Sequence, residues 1–354
     1  MQILIVKTSS LGDIIHVFPT LEYLKATHPD AQIDWVVEKP FAELVQAHPA
    51  IRDVLRVDTR SWRKNLLRTN TWSQMATFRK TLREVKYDVV FDLQGNAKSA
   101  FICVQARAKI KVGFGKEAVA EWPNLLFTDL RFNPPKGKNI RFDYLFLAQS
   151  FFQDFRPVKG GGTLLKLDSK GEEQCRQVLE LSLLRATPKV MVCAGSAWRN
   201  KQLEKGAMIE FLALLYKHMG CAYLFIWGTP EEKQLAEELQ AKFPNHSVVL
   251  DRLALPVLQN VMARMDLVVA MDSLPLHLAG TTGTKTFGIF GASNAAKYKP
   301  EGERHLSYQG HCPYKRTFEK RCSILRTCPT GPCIRSISGS LLFKVFQEAH
   351  GTTS

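Results

Sequence analysis

Three observations predict an α/β fold of two doubly wound, mostly parallel sheets. Short apolar runs rich in β-branched residues alternate with helix-patterned segments along most of the chain, the rhythm of strands joined by crossover helices. The alternation runs through twice, on either side of Arg156 to Gly162, which ends in Gly160-Gly161-Gly162 and reads as a linker. The length, 354 residues, exceeds what one core usually supports and suits two domains. The division expected is 1–158, 159–335 and a closing helix with its tail over 336–354.

In the first half, Gln2 to Lys7 is an apolar run of buried-strand length. Ile14, Phe18, Leu21 and Leu24 then form one face of a helix, which Pro19 either kinks or starts afresh. Strands follow at Ile33 to Glu38, Asp53 to Val57, Asp88 to Leu93 and near Val112, with helices over Phe41 to Ala47, Trp72 to Glu84 and Phe101 to Arg107. The second half repeats the pattern. Its strands are Lys189 to Ala194, Tyr223 to Trp227, Val248 to Leu250, Leu267 to Met271 and Thr286 to Phe290. Its helices are Glu172 to Leu183, Ala207 to His218, Glu231 to Phe243, Pro256 to Met265, one near His277 and the closing Leu341 to Glu348. The architecture is two Rossmann-like halves with a cleft between them.

Composition bounds the function. An apolar share of 45% is that of a soluble globular protein, and no apolar run approaches a membrane span. The N-terminal run is too short for a signal peptide, so the expected compartment is cytoplasmic. Net charge is +15, from 48 basic and 33 acidic residues, which calls for an anionic partner. No G-x-G-x-x-G follows the first strand, and G-x-S-x-G and H-E-x-x-H are absent, which argues against a dinucleotide oxidoreductase, an α/β-hydrolase and a zincin.

Ligands of open α/β sheets bind beyond the carboxyl ends of strands, so the turns there carry the chemistry. The first is KTSSLGDIIH, Lys7 to His16. Thr8, Ser9 and Ser10 supply hydroxyls, Gly12 a tight turn, and Asp13 stands at the mouth of the helix. A carboxylate there caps the helix or serves as a base, and position alone favours the cap. The strand Lys189 to Ala194 runs into Gly195-Ser196-Ala197-Trp198-Arg199-Asn200-Lys201, small residues and cations suited to a diphosphate, although a solvated basic loop reads the same. Trp227-Gly228-Thr229-Pro230-Glu231 offers an acid for a ribose or simply begins a helix. Asp272, Ser273 and His277 crowd the end of an apolar strand in MDSLPLHLAG.

Two further stretches stand out. Between Thr59 and Arg83 there is no acid but seven cations, Arg60, Arg63, Lys64, Arg68, Arg79, Lys80 and Arg83, with Trp62 and Trp72 among them. As a loop near the cleft this stretch would grip an anionic acceptor or dip into a membrane surface. No nucleic-acid motif accompanies it. Near the C-terminus Cys312, Cys322, Cys328 and Cys333 crowd into 22 residues. In a reducing compartment four such thiols point to a structural Zn or Fe site or to unligated cysteines.

Taken together, these residues resemble the lipopolysaccharide heptosyltransferases of glycosyltransferase family 9, from KTSSLGDIIH through the three turns of the second half. The resemblance implies a GT-B fold, with an acceptor-binding first domain and a nucleotide-sugar-binding second domain. It implies Asp13 as catalytic base, Lys201 on the donor phosphates with Ser196 beside it, and Asp272, Ser273 and His277 on the donor. Leu274 stands where the family often has glycine, and Pro230 where some members have a ribose-binding glutamate, leaving Glu231 as the nearest substitute. Ser10, Arg60, Arg63 and Lys64 would meet an anionic lipid A or inner-core acceptor. The implied reaction is inverting transfer of a heptose from ADP-heptose without a catalytic metal or nucleic acid, by a peripheral protein on the inner face of the cytoplasmic membrane. Protein glycosylation by the same fold, or a non-catalytic nucleotide-sugar binder, are the alternatives.

Overall fold

The computed structural model describes residues 1–65, 67–158, 162–184 and 188–351. The chain divides into two compact units, Met1–Gly160 and Gly161–Ser354. Of the linker expected over Arg156 to Gly162, residues 159–161 lie outside the described residues.

The first unit is built on β1 Gln2–Val6, β2 Gln32–Glu38, β3 Ile51–Val57, β4 Lys86–Asp92, β5 Arg107–Phe114 and β6 Leu130–Phe132. They pair in parallel in the order β3-β2-β1-β4-β5-β6. Ile3 to Val6 are wholly buried, as expected of a central strand covered on both faces. Trp35 of β2 donates its indole N–H to the Lys7 carbonyl at 2.9 Å, fixing the point where β1 stops. Pro19 opens a fresh helix, Phe18–Thr27, after the five-residue helix Leu11–Ile15.

The second unit repeats the topology with β7 Lys189–Cys193, β8 Ala222–Phe225, β9 Ser247–Val249, β10 Leu267–Met271, β11 Lys285–Phe290 and β12 His305–Gln309, in the order β12-β11-β10-β7-β8-β9. Its closing helix, Gly339–Gly351, lies on the helix Lys205–Met219. Gly339 permits the approach, since a Cβ there would sit 2.4 Å from the Ala207 carbonyl oxygen. Phe346 then meets Phe287 edge-on at 5.5 Å, and Phe287 stacks on Phe211 at 5.6 Å. Burial of one such ring is worth about 1.5–3 kcal/mol.

Several elements go beyond those expected from the sequence. The edge strands β6 and β12 were not expected, nor was the helix Ile140–Phe152. In each sheet the strand order reverses at one place, between β1 and β4 and between β7 and β10. These two switch points are where open α/β sheets hold their ligands.

Candidate active site

At the first switch point, Ser10 caps the short helix Leu11–Ile15 and Asp13 lies in its first turn. The Ser10 amide and hydroxyl both donate to Asp13 Oδ2, at 3.2 and 2.7 Å. Asp13 therefore does serve the helix start, in the reciprocal manner of a capping box. It is only half-buried, and among the described residues nothing donates a hydrogen bond to its Oδ1.

The turn itself is clamped from β4. The Thr8 and Ser9 amides donate to Gln94 Oε1 at 3.1 and 3.2 Å. Gln94 is in turn held by Asp92, a fully buried carboxylate at the end of β4. Asp92 Oδ1 accepts from the Gln94 and Gly95 amides, and its Oδ2 from Ser99 Oγ and Asn124 Nδ2 at 2.8 and 2.6 Å. Lys7, 4% exposed, donates to the Tyr144 hydroxyl at 3.0 Å and lies over its ring. Burial pushes the Lys7 ammonium below its usual range, and the charges of Asp13 and Asp92 oppose that shift. Lys7, Asp92 and Gln94 were missed as site residues. The signal available was a carboxylate ending an apolar strand just before Gln-Gly-Asn.

At the second switch point the loops after β7 and β10 meet. Lys201 Nζ pairs with Asp272 Oδ2, and His277 Nε2 lies 3.6 Å from Asp272 Oδ1. All three side chains are less than a tenth exposed. Burial opposes ionisation of Asp272, but the His277 hydrogen bond and the Lys201 charge win, holding its carboxyl well below the usual range. Burial also lowers the Lys201 ammonium, with Asp272 raising it and nearby Arg321 lowering it further. Arg321, which lies over the Tyr298 ring, is thus a second cation at this site. Ser273 turns its hydroxyl back to the Met271 carbonyl at 3.3 Å, and Ser196 is buried in the loop after β7.

The depressed carboxyl of Asp272 fixes a pH dependence. Its stabilisation is fully present above the unfolded carboxylate pKa of about 3.9 and is lost only as pH falls through the lower folded value. In acid unfolding followed by circular dichroism, the stability gap between wild type and Asp272→Asn should stay constant above that pH. It should close below it.

The acid of this turn that meets the backbone of the loops after β7 and β8 is Glu232, one residue beyond Glu231. Thr229 caps the helix Pro230–Gln240 by accepting from the Glu232 amide, and Glu232 Oε2 accepts from the Gly228 amide at 2.7 Å. Glu232 also lies against Gly195, where a Cβ would come within 2.3 Å of its carboxyl carbon. Glu231 is exposed. A Thr-x-x-Glu capping box in the sequence was the signal that would have singled out Glu232.

The four cysteines of the segment lie near one another, Cys312 and Cys322 packing on Cys333. Among the described residues no group of three or more His, Cys, Asp or Glu is placed to hold a metal ion. Cys333 is buried with Ala292 and Leu325, with Cys312 and Cys322 packed against them. Burial, followed by the charges of the other three cysteines, pushes the Cys333 thiol up to about 11. What the segment does is brace the loop after β7. Asn200 Nδ2 donates to the Leu325 and Cys328 carbonyls at 2.9 and 2.8 Å, and the Arg326 guanidinium lies 4.3 Å from the centre of the Trp198 ring. Asn200→Ala strands those two carbonyls at about 1–3 kcal/mol. It should lower the melting temperature and raise the donor KM through the neighbouring Lys201, which kinetics beside a thermal melt would read.

The basic stretch is helical rather than a loop. Arg60, Arg63 and Lys64 lie on the helix Thr59–Lys64, which forms there because Asp58 caps it by accepting from the Ser61 amide. Trp62 is held inward, its indole N–H donating to Gln74 and its ring 5.9 Å from that of Phe78. Among the described residues no hydrogen bond or ion pair joins these three cations to Ser10 or Asp13. A cavity of about 580 Å³ opens beside β3, lined by Arg56, Asp58, Trp62, Gln74 and Phe78 among others, and none of the expected site residues reaches it.

Against known proteins, residues 75–327 match the sequence model of glycosyltransferase family 9 (heptosyltransferase). The chain is 28% identical to lipopolysaccharide heptosyltransferase 1 of Pseudomonas aeruginosa over 340 residues, covering 91% of this chain and 88% of that protein. Among solved structures it resembles E. coli heptosyltransferase WaaC with ADP, at a TM-score of 0.77 and 23% identity, covering 99% of this chain and all of that one. The same E. coli protein with ADP-2-deoxy-2-fluoro heptose aligns at a TM-score of 0.76 and 22% identity, over 98% and 99% of the two chains. The fold is therefore that of the GT-B heptosyltransferases. With a match spanning more than two thirds of its length, the chain belongs to glycosyltransferase family 9.

Proposed function

We propose that the protein transfers a heptose from ADP-heptose to an anionic lipopolysaccharide inner-core acceptor, with inversion at the anomeric carbon. The observation that carries the reading is the pair of switch-point sites. One holds a half-buried carboxylate with an oxygen to spare; the other holds the buried Lys201–Asp272–His277 group. Family membership and relatives named as lipopolysaccharide heptosyltransferases support the choice of sugar and acceptor.

On this reading Asp13 Oδ1 takes the proton of the acceptor hydroxyl as that oxygen attacks the anomeric carbon. The new glycosidic C–O bond forms as the bond to the diphosphate breaks, and the diphosphate leaves with the electron pair. Lys201 and Arg321 offset the charge that grows on it, while Asp272 and His277 orient Lys201. Ser196 and Ser273 sit on the same two loops and contribute hydroxyls to the donor, with Glu232 in the place expected of Glu231. Ser10 positions Asp13 beside the acceptor, and Arg60, Arg63 and Lys64 attract its phosphates or carboxylates. The reading requires no catalytic metal. It places the protein at the inner face of the cytoplasmic membrane, and among the described residues no helix is long and apolar enough to cross one.

Mass spectrometry after incubation with ADP-heptose and a heptose-free inner-core lipid tests this directly. A gain of one heptose on the lipid, with inverted configuration by NMR, is the expected result. Transfer to a protein acceptor alone, or tight donor binding without turnover on either acceptor, would replace the reading.

A further inference from the structure

The helix Ala97–Gln105 and the 3-10 turn Trp122–Phe127 pack on one another in the first unit. Asn124 is buried between them and donates to the Asn96 carbonyl at 3.1 Å and to Ser99 Oγ at 3.3 Å. The Glu121 carboxylate accepts from the Ala97 amide at 2.9 Å. These contacts hold the two elements as one surface. From it and the adjoining β6, large apolar side chains stand in water: Phe101 54%, Val104 47%, Trp122 69%, Leu126 68%, Phe127 40% and Leu130 42% exposed. Single exposed apolar residues are ordinary. Six within 30 residues on adjoining elements make a patch of the kind that marks a contact surface.

The charge around the patch indicates its occupant. Arg83 donates to the Gln105 carbonyl at 3.2 Å, Arg107 to the Arg83 carbonyl at 3.1 Å, and Arg131 to the Thr128 carbonyl at 2.6 Å. These guanidinium groups are anchored by main-chain oxygens, and among the described residues none of the three pairs with a carboxylate. Two carboxylates lie nearby, Glu121 at the helix start and Asp129 accepting from the Lys111 amide at 2.8 Å, and they are fewer than the three guanidinium groups. The surface is thus apolar at its centre, with cations in excess at its edge. Trp122 is the residue type that settles at a lipid–water interface. A second copy of the chain fits less well, because a two-fold contact brings the same patch against itself and sets unpaired arginines near one another.

We propose that this face, centred on Phe101, Trp122 and Leu126 and edged by Arg83, Arg107 and Arg131, docks on the surface of an anionic lipid bilayer. The choice of a bilayer rests on the lipid-acceptor reading above; the surface itself does not. Shallow insertion of the apolar side chains and attraction of the arginines to acidic headgroups would act together.

The test is flotation of the full chain with vesicles of phosphatidylglycerol and phosphatidylethanolamine, against vesicles of phosphatidylcholine alone. Wild type should float with the anionic vesicles, and less so as salt rises. Phe101→Ser combined with Leu126→Ser should cut the partition coefficient at least tenfold, and Arg107→Gln combined with Arg131→Gln severalfold. Both variants should remain folded at the assay temperature by circular dichroism and keep wild-type turnover of a water-soluble, deacylated acceptor. Unchanged flotation of the apolar variant, or equal flotation on phosphatidylcholine, would overturn the proposal. So would a concentration-dependent dimer, seen by sedimentation, that the apolar variant dissolves. Vesicle binding without sugar transfer to any acceptor would sink the functional reading and leave this surface standing. Sugar transfer without vesicle binding would do the reverse.

Discussion

Asp13→Asn should lower kcat by about 100- to 10,000-fold, the range for loss of a general base, while donor affinity stays within about twofold. The substitution is chosen for the geometry at Ser10. An amide oxygen can still accept from the Ser10 amide and hydroxyl, as Asp13 Oδ2 does now, so the helix start survives and only the proton acceptor is lost. Alanine would remove both roles and confuse them. The clamp from Gln94 and Asp92 is independent of the Asp13 side chain, so the turn should keep its place. Steady-state kinetics with a soluble acceptor, together with calorimetry of ADP binding, separates the outcomes. Turnover above a tenth of wild type, with a lowered melting temperature as the main effect, would show that Asp13 is a cap and nothing more.

What could be read in the sequence follows from how each feature is written there. Central strands covered on both faces are unbroken apolar runs, so β1, β7 and β10 stood out, and with them the turns at their carboxyl ends. The edge strands did not, because β6 has three residues and two of them are exposed, while β12 mixes His, Ser and Gln into five. The helix Ile140–Phe152 carries apolar residues on every side and so shows no single stripe at helical period. That Glu232 rather than Glu231 faces Gly195 was not legible, because one residue is a turn of about 100° on a helix and only the capping geometry at Thr229 decides it. The cysteines are a clearer case. Closeness in sequence is matched by closeness in space, with Cys312 and Cys322 packed on Cys333 beside Ala292 and Leu325. The pairing of Lys201 with Asp272 spans 71 positions, and no local pattern encodes a contact of that range.

That pairing governs the second large effect. Lys201→Ala should weaken donor binding, but it also leaves a buried carboxylate without its cation. Breaking one side of such a pair costs about 3–5 kcal/mol, so a loss of activity in that variant alone would not separate binding from folding. Two variants of matched bulk do: Lys201→Met, and Lys201→Met combined with Asp272→Asn. The single change should lower the melting temperature sharply, and the double change should recover most of it, because no uncompensated charge remains. ADP and ADP-sugar affinity should fall at least tenfold in both, which corresponds to about 1.4 kcal/mol. The reason lies in the ammonium's three donors. One is held by Asp272 Oδ2 and a second points to the Asp272 carbonyl at 3.5 Å, which leaves the third for a phosphate oxygen. On the proposed reading Asp272 acts by aiming Lys201, and His277 by holding Asp272. Calorimetry with ADP on the stable double variant is the decisive measurement, since its fold is intact and its cation is gone. Wild-type ADP affinity there would remove Lys201 from the donor site and leave the buried pair a purely structural device.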